Sequence, residues 1–477
     1  MAEFILFSQR LKRLMHKHAL SPSQLASATG CSRTEVKNLL ATDASEKKRK
    51  LFFERIQEAG LFSSDECREL HESLEISKTG IERYRFQIAI HHIISGKPLA
   101  APPYLLQNGE PLFQRLSVFQ DAEQIDILCL NCCYPGIFQT LQPLFENPER
   151  EIRMWHLINV ESHEGRAASL VAYSSPLLFD NRYYLYGVQI QNNEEIPSVG
   201  GNMLCIRGFV NGKKIEFFCN VISTHEAYEL PNAAESDMFH HIANLFRTIR
   251  PAPIPLKEIP LQKQNFPSLC MSFLSRELNR ATYSLTNGIC LQQIPVEIAI
   301  AAIRDCTSFD EKEAEELISE AYSIHERRFQ NLYQKKKPTY LIMTKQGCES
   351  FLKTGFTLDH FVGFRAFTIE ERQSIFQHFL ENARSNSYFT PLLLKERELE
   401  YTFNMECYDK LGVLLDAKDN NYDPEGGYRS VFLTYPDFTR QYLSYYLETL
   451  VSNQCHTRAE SLEILENIFK KFLSQKH

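Results

Sequence analysis

The sequence predicts a multidomain protein: an all-α N-terminal domain followed by mixed α/β (α+β) C-terminal units. Three observations lead there. The 477 residues suit about three domains. Up to Gly96 the apolar residues recur with a helical period. Beyond LAAPPYLL, short apolar runs bounded by turn residues become frequent, which is the pattern of strands. A hydrophobic content of 43% with 23% charged residues is that of an ordinary globular chain, so a sizeable core is expected.

Taken in order, Phe4, Phe7, Leu11, Leu14 and Met15 recur at steps of three and four and predict a first amphipathic helix up to His18. Two helices are expected within LSPSQLASATGCSRTEVKNLLA. Two more lie in KLFFERIQEAG and SSDECRELHESLEI, the latter opened by a Ser63–Glu66 capping box. GIERYRFQIAIHHIISG predicts a longer helix ending near Gly96. Pro102, Pro103 and Asn108-Gly109 then break the helical texture. IDILCLNC, EIRMWHLINV and RYYLYGVQI are strand candidates, the first two separated by the helical GIFQTLQPLFEN. NMLCIRGFVNGKKIEFFCNVI is the clearest hairpin, with Asn211-Gly212 suited to a type I′ turn. A helix is expected in SDMFHHIANLFRTI. PAPIPLKEIP reads as an extended linker, because four prolines in ten residues deny it both helix and central strand.

Residues 268–334 are expected to be mainly helical. A second mixed unit follows: strand PTYLIMT, helices KQGCESFLKTG and TIEERQSIFQHFLENARSN, then strand candidates YFTPLLL, LEYTFNME and YRSVFLTYP. Long helices over Asp437–Ser452 and Arg458–Lys471 finish the chain. The domain boundaries on this reading are 1–75, a connecting helix over 76–100, a mixed unit over 101–260, and a helical segment plus second mixed unit over 261–477. The order strand, helix, several strands, helix occurs in both mixed units, with no residue-level repeat to accompany it.

Several chemistries are missing from the sequence. The Met1 end has no signal-peptide pattern and no run of about 18 apolar residues occurs, so a cytoplasmic protein without a membrane span is expected. Thirteen cysteines, an odd number spread along the chain, suit reduced thiols. Cys129, Cys132 and Cys133 form one tight group, but no second pair completes a four-ligand zinc site, and no metal is expected. No two of the 19 glycines are separated by one residue, and no Gly-Lys-Ser/Thr occurs, so neither a dinucleotide fingerprint nor a P-loop is present. Gly208 and Gly212 enclose no serine, which removes the nucleophile elbow. His91-His92 and His240-His241, as helix neighbours about 100° apart, suit a core edge or surface. Glu311, Glu313, Glu315 and Glu316 read as a solvated helix face. DAKDNNYDPEGGY lacks the register of a calcium loop and reads as a hairpin connection. Neither a catalytic residue nor a cofactor is expected.

Charge is distributed unevenly. The first fifty residues hold ten Lys/Arg against four Asp/Glu, a net +6, which leaves −13 for the rest of a chain of net charge −7. Such asymmetry suits one end that meets a polyanion. Within that end, Ser21 can cap a helix with Pro22 at its first position and Gln24 closing the capping box. Leu20 and Leu25 are placed as a hydrophobic staple. Gly30 permits a left-handed turn, and Cys31, Ser32, Glu35 and Val36 repeat the arrangement. Only Cys31 separates Gly30 from the second cap, so the two helices must cross steeply, with Ala26 supplying a small contact surface. Arg33, Thr34, Lys37 and Asn38 then share the face opposite Val36, Leu39 and Leu40.

LSPSQLASATGCSRTEVKNLL is similar to the helix-turn-helix of phage-repressor and Cro-like (XRE-type) transcription regulators, over roughly the first 65 residues. Leu25, Ala26, Gly30, Cys31, Ser32 and Val36 stand where that family has its structural residues. Pro22 replaces the family's common Gln, and Leu40 and Ala41 stand near its usual Glu and Gly. The resemblance implies base and phosphate contacts from Ser32, Arg33, Thr34, Lys37 and Asn38 to double-stranded DNA. Lys12, Arg13, Lys47, Lys48 and Arg49 would add phosphate contacts. The expectation is a bacterial one-component DNA-binding regulator, not an enzyme, working as a homodimer whose large C-terminal region senses a small-molecule or peptide effector. The competing expectations are an enzyme, hydrolytic or nucleotide-modifying, with a helix-turn-helix appendage, and a protein-interaction module. Carboxylates, His or Cys converging in a pocket of the 110–260 unit would mark the enzyme, and an apolar pocket the sensor.

Overall fold

The structure, a computed structural model, describes residues 5–41, 44–95, 104–132, 134–159, 175–188, 202–222, 226–230, 238–248, 254–258, 280–289, 293–305, 310–357, 365–395, 403–417 and 429–475. The chain is multidomain and α+β overall, and divides into two compact units, Met1–Ala89 and Ile90–His477. No helix among the described residues is long and apolar enough to cross a membrane.

The first unit is built from helices α1 (Phe7–Lys17), α2 (Pro22–Thr29), α3 (Arg33–Leu40), α4 (Glu46–Glu58) and α5 (Ser64–Thr79), and α6 (Ile81–Ser95) begins in it. Phe4, expected in the first helix, lies outside the described residues. The capping boxes read from the sequence open α2, α3 and α5: Ser21 with Gln24, Ser32 with Glu35, and Ser63 with Glu66. Gly30 ends α2 at φ 65°, a left-handed conformation that glycine adopts without a Cβ penalty. Phe7, Leu11, Leu25, Val36, Ile56 and Leu70 are fully buried in one core, each worth about 1.5–3 kcal/mol by burial. Leu20 and Cys31 pack against it, while Leu40 is only half-buried. Glu66 ties α5 to the end of α1, accepting from Lys17 Nζ at 2.7 Å and lying 2.8 Å from His18 Nε2. Lys17, the Ser63 amide and His18 hold its carboxyl well below the usual carboxylate range.

The second unit holds two sheets. The eight-stranded sheet uses β1 (Leu105–Leu106), β2 (Gln124–Leu130), β3 (Glu151–Asn159), β4 (Tyr183–Val188), β5 (Asn202–Val210), β6 (Lys213–Val221), β7 (Glu226–Glu229) and β8 (Ile254–Pro255), in the order β1-β7-β6-β5-β2-β3-β4-β8. The seven-stranded sheet uses β9 (Lys257–Glu258), β10 (Thr282–Leu285), β11 (Thr339–Met343), β12 (Phe389–Leu393), β13 (Phe403–Tyr408), β14 (Gly412–Ala417) and β15 (Arg429–Leu433), in the order β12-β11-β10-β13-β14-β15-β9. Asn211 at φ 52° and Gly212 at φ 71° make the expected type I′ turn between β5 and β6.

The two sheets repeat one topology. In the first, β2, β3 and β4 are parallel, β2 is antiparallel to β5, and β5, β6 and β7 form an antiparallel meander. In the second, β10, β11 and β12 are parallel, β10 is antiparallel to β13, and β13, β14 and β15 form the meander. Helices cross between the parallel strands in both, and a helix follows the meander in both: Met238–Thr248 in one, Pro436–Tyr445 in the other. This is an internal duplication at the level of topology, which residue-level comparison of the two halves does not reveal.

Three expectations need correction. Thr282–Leu285 is a strand inside the segment expected to be mainly helical, and it is the central strand β10 of its sheet. GVLLDA is the strand β14, which the sequence reading passed over. PAPIPLKEIP is more than a linker. Its residues Ile254–Pro255 add an edge strand beside β4, and Lys257–Glu258 add one beside β15. Pro255 lacks an amide hydrogen but its carbonyl still accepts, here from Thr434 Oγ1 at 3.1 Å, so an edge position tolerates it. The same segment thus seals one edge of each sheet. Pro391 sits within β12 for the same reason, since β12 is itself an edge.

Candidate functional site

The side chains expected to meet DNA lie where the sequence puts them. Ser32, Arg33, Thr34, Lys37 and Asn38 are exposed along α3, Lys12 and Arg13 are exposed on α1, and Lys47 and Lys48 are exposed in the first turn of α4, with Arg49 half-buried. Asn38 and Lys48 also line a groove between α3 and α4 with Cys31, Glu35 and Arg55. There Arg55 Nη1 lies 2.9 Å from Cys31 Sγ. Glu35 is not neutral on this face: the Ser32 amide and hydroxyl, then Arg55 and Lys48, hold its carboxyl below the ordinary range.

The described cysteines of the first sheet are core groups. Burial pushes the Cys132, Cys205 and Cys219 thiols far above their ordinary range, which makes them inert core groups. Cys133 and the side chains of His91 and His92 lie outside the described residues, as does residue 418 onward of the polar loop before β15. His156 on β3 is fully buried, with Nδ1 2.9 Å from the Tyr183 hydroxyl and no partner for Nε2. Burial lowers its pKa to about 3, so the imidazole is neutral. Lys257 on β9 is also buried. Its Nζ donates to the carbonyls of Leu178 and Asp180 at 3.0 Å each and stands 4.4 Å from the centre of the Tyr183 ring. Burial pulls its pKa down to about 7, against the opposing pull of Asp180. Among the described residues, no group of three or more His, Cys, Asp or Glu side chains is disposed to hold a metal ion.

Among the described residues, ionisable side chains gather at a cavity of the second sheet. A cavity of about 310 Å³ lies between its central strands and the helices Glu311–Phe329 and Ile369–Ser385. The two sheets can be compared row by row from the first row in which all three parallel strands pair. In the first sheet one row reads Leu185, His156, Cys129, Leu204, and in the second the matching row reads Pro391, Leu341, Ser284, Glu406. Small polar groups on the central strand leave room for the cavity.

Thr282, Ser284 and Glu406 form the floor, the carboxylate being 5% exposed and accepting from the Tyr408 hydroxyl at 2.6 Å. Phe379 and Phe389, edge to face at 5.7 Å, are buried in the wall. His325, Phe329 and Tyr333 stand at the exposed rim. A relay fixes His378: the Tyr333 hydroxyl donates to Asn382 Oδ1 at 2.8 Å, and Asn382 Nδ2 lies 2.9 Å from His378 Nε2. With its oxygen accepting from Tyr333, the Asn382 amide nitrogen must donate, so Nε2 of His378 carries the lone pair and the proton sits on Nδ1. Gln293 Oε1, also at the cavity, is buried without a hydrogen-bond partner. No pocket motif announced these residues. The available signals were the polar pair Thr282 and Ser284 in a strand too short to read, and a buried Glu406 in the apolar alternation of β13.

No protein-family model and no curated protein matches the chain. Among solved structures, a phosphatidylserine synthase from Haemophilus influenzae Rd KW20 matches at 10% identity over 82% of this chain and 98% of its own, with a TM-score of 0.26. A polyphosphate kinase from Porphyromonas gingivalis matches at 12% identity over 76% of this chain and 53% of its own, about half its length, with a TM-score of 0.24. At such TM-scores neither match assigns a fold, a substrate or a residue role here. Both are enzymes by name; neither supports the expected DNA-binding transcription regulator that is not an enzyme, and that expectation is not carried further. The cavity departs from the sensor expectation in one respect: an apolar pocket marks a sensor, and this one carries a carboxyl group and two imidazoles. The location is corrected as well: the cluster lies in the second mixed unit, not within 110–260.

Proposed function

We propose that the chain is an enzyme acting on a small polar substrate by proton transfer, with its centre in the cavity of the second sheet. The observation that carries this reading is the convergence of Glu406, His325 and His378 on one cavity with hydroxyl and amide groups beside them. Imidazoles exchange protons near neutral pH, and His378 is held in one tautomer by a side-chain relay, as a proton-transfer group requires. Glu406 supplies a carboxyl oxygen that orients a bound molecule. The helical head, with its paired capping boxes and left-handed Gly30, is read as a helix-turn-helix appendage of the phage-repressor type.

Incubating the full chain with a pool of water-soluble metabolites and following it by mass spectrometry tests the proposal. Consumption of at least one compound is expected, lost in both His378→Ala and Glu406→Gln at unchanged melting temperature. Consumption that both variants retain, or none at all, would sink it.

A further inference from the structure

We infer that the molecule taken up by this cavity is a cyclic amide, a flat ring whose edge carries both an N–H and a C=O. The inference rests on the reading of the cavity as a substrate site and adds the hydrogen-bonding pattern of its ligand. It does not depend on whether Glu406 is ionised. Gln293 Oε1 lines the cavity and is buried, with no donor among the described residues. Such an acceptor destabilises the empty protein, because it has lost water and gained no bond in exchange. A ligand N–H supplies the missing bond.

His378 offers the complementary group. Its Nε2 is engaged by the Asn382 amide, which leaves the proton on Nδ1 as a donor for a ligand carbonyl. An acceptor and a donor on one cavity together select a molecule that brings one of each, and an amide carries both on adjacent atoms. The walls select the ring. Phe379 and Phe389 meet edge to face at 5.7 Å inside, and Phe329 and Tyr333 stack at 4.8 Å at the rim, so a flat molecule finds aromatic surface at both depths. A volume of about 310 Å³ is small for a ligand pocket and suits a molecule of one or two rings.

Titration calorimetry of the full chain with isocarbostyril, N-methylisocarbostyril and naphthol reads the pattern, since the three share a bicyclic frame. The second lacks the N–H, and the third replaces the amide by a hydroxyl. Isocarbostyril is expected to bind at least about tenfold more tightly than either, the factor that one hydrogen bond carries. Gln293→Leu should weaken isocarbostyril by about tenfold and leave its N-methyl derivative unchanged. The same variant, without ligand, should melt no lower than the natural chain, because a hydrocarbon replaces an unpaired acceptor. His378→Phe should weaken both amides, which share the carbonyl.

Equal binding of the N-methyl derivative overturns the inference, and equal binding of naphthol overturns the amide in favour of a hydroxyl. Gln293→Leu weakening both amides alike, or neither, overturns it too, as does a clear fall in the melting temperature of that variant, which would show that Oε1 already has a partner. Failure of all three probes to bind overturns the inference as well, and the metabolite assay still reads the enzyme proposal separately.

Discussion

Lys257 offers the sharpest test of the structure. Its ammonium is buried against two carbonyls and a tyrosine ring, and its pKa falls from 10.5 to about 7. Between those values the unfolded chain binds a proton that the folded chain does not, so stability rises with pH. The slope is about 1.4 kcal/mol per pH unit, and the full window amounts to roughly 5 kcal/mol. Stability from this site is absent below about pH 7 and complete only above the unfolded value.

Lys257→Met removes the titration and also the two hydrogen bonds, at about 1–3 kcal/mol for each carbonyl left without a donor. The variant is therefore less stable than the natural chain at alkaline pH. From about pH 7.5 to about pH 9.5 the difference between the two should widen by roughly 2–3 kcal/mol. Urea unfolding followed by circular dichroism at several pH values measures it. The buried cysteines, whose raised pKa values act in the opposite direction, contribute equally to both proteins and cancel. Parallel stability lines for the two proteins would refute a buried, depressed Lys257.

Other perturbations probe other parts of the fold. His156, neutral with a pKa near 3 where an exposed imidazole has about 6.5, should make the natural chain lose about 1.4 kcal/mol per pH unit on acidification from 6.5, and His156→Leu should flatten that slope in the same urea assay. Gly347 presses on Asn287: an added Cβ would overlap the Asn287 carbonyl oxygen, while Thr344 Oγ1 holds the two segments together at 2.8 Å. Gly347→Ala should therefore destabilise by upwards of about 3 kcal/mol, and a loss below about 1 kcal/mol would show that the segments separate freely. Ser32→Ala deletes the cap that accepts from the Glu35 amide and should lower the stability of the helical head by about 1 kcal/mol in thermal unfolding, with Ser32→Gly losing less.

Local signals in the sequence were read well where one residue type dictates a conformation. Asn211-Gly212 gives the β5–β6 turn because both positions need positive φ, and the three Ser-x-x-Glu/Gln boxes mark helix starts because side chains there satisfy free amides. The cavity was not legible, for two reasons. Its central strand, Thr282–Leu285, has four residues, too few to show a period, and it pairs with segments 57 and at least 120 positions away. Its walls come from helices that present His325, Asn382 and His378 on faces that look like ordinary polar surface. The duplication escaped for a related reason: what repeats is strand order and direction, while the rows themselves exchange His156 and Cys129 for Leu341 and Ser284. Prolines misled in the opposite sense, since they forbid a central strand and permit an edge.

That edge segment, Ile254–Glu258, has a consequence for how the chain assembles. An open sheet edge is a template for another chain, and here five residues close one on each sheet at once. The pairing of β9 with β15 spans about 175 positions of sequence, so its loop closes only after the whole second sheet has been made. In a nascent chain Ile254–Pro255 can seat on β4, less than 70 positions back, while Lys257–Glu258 still waits for β15. Once both pairings are made, one strap of five residues borders β4 in one sheet and β15 in the other, so the outer strands of the two halves share a single stretch of backbone.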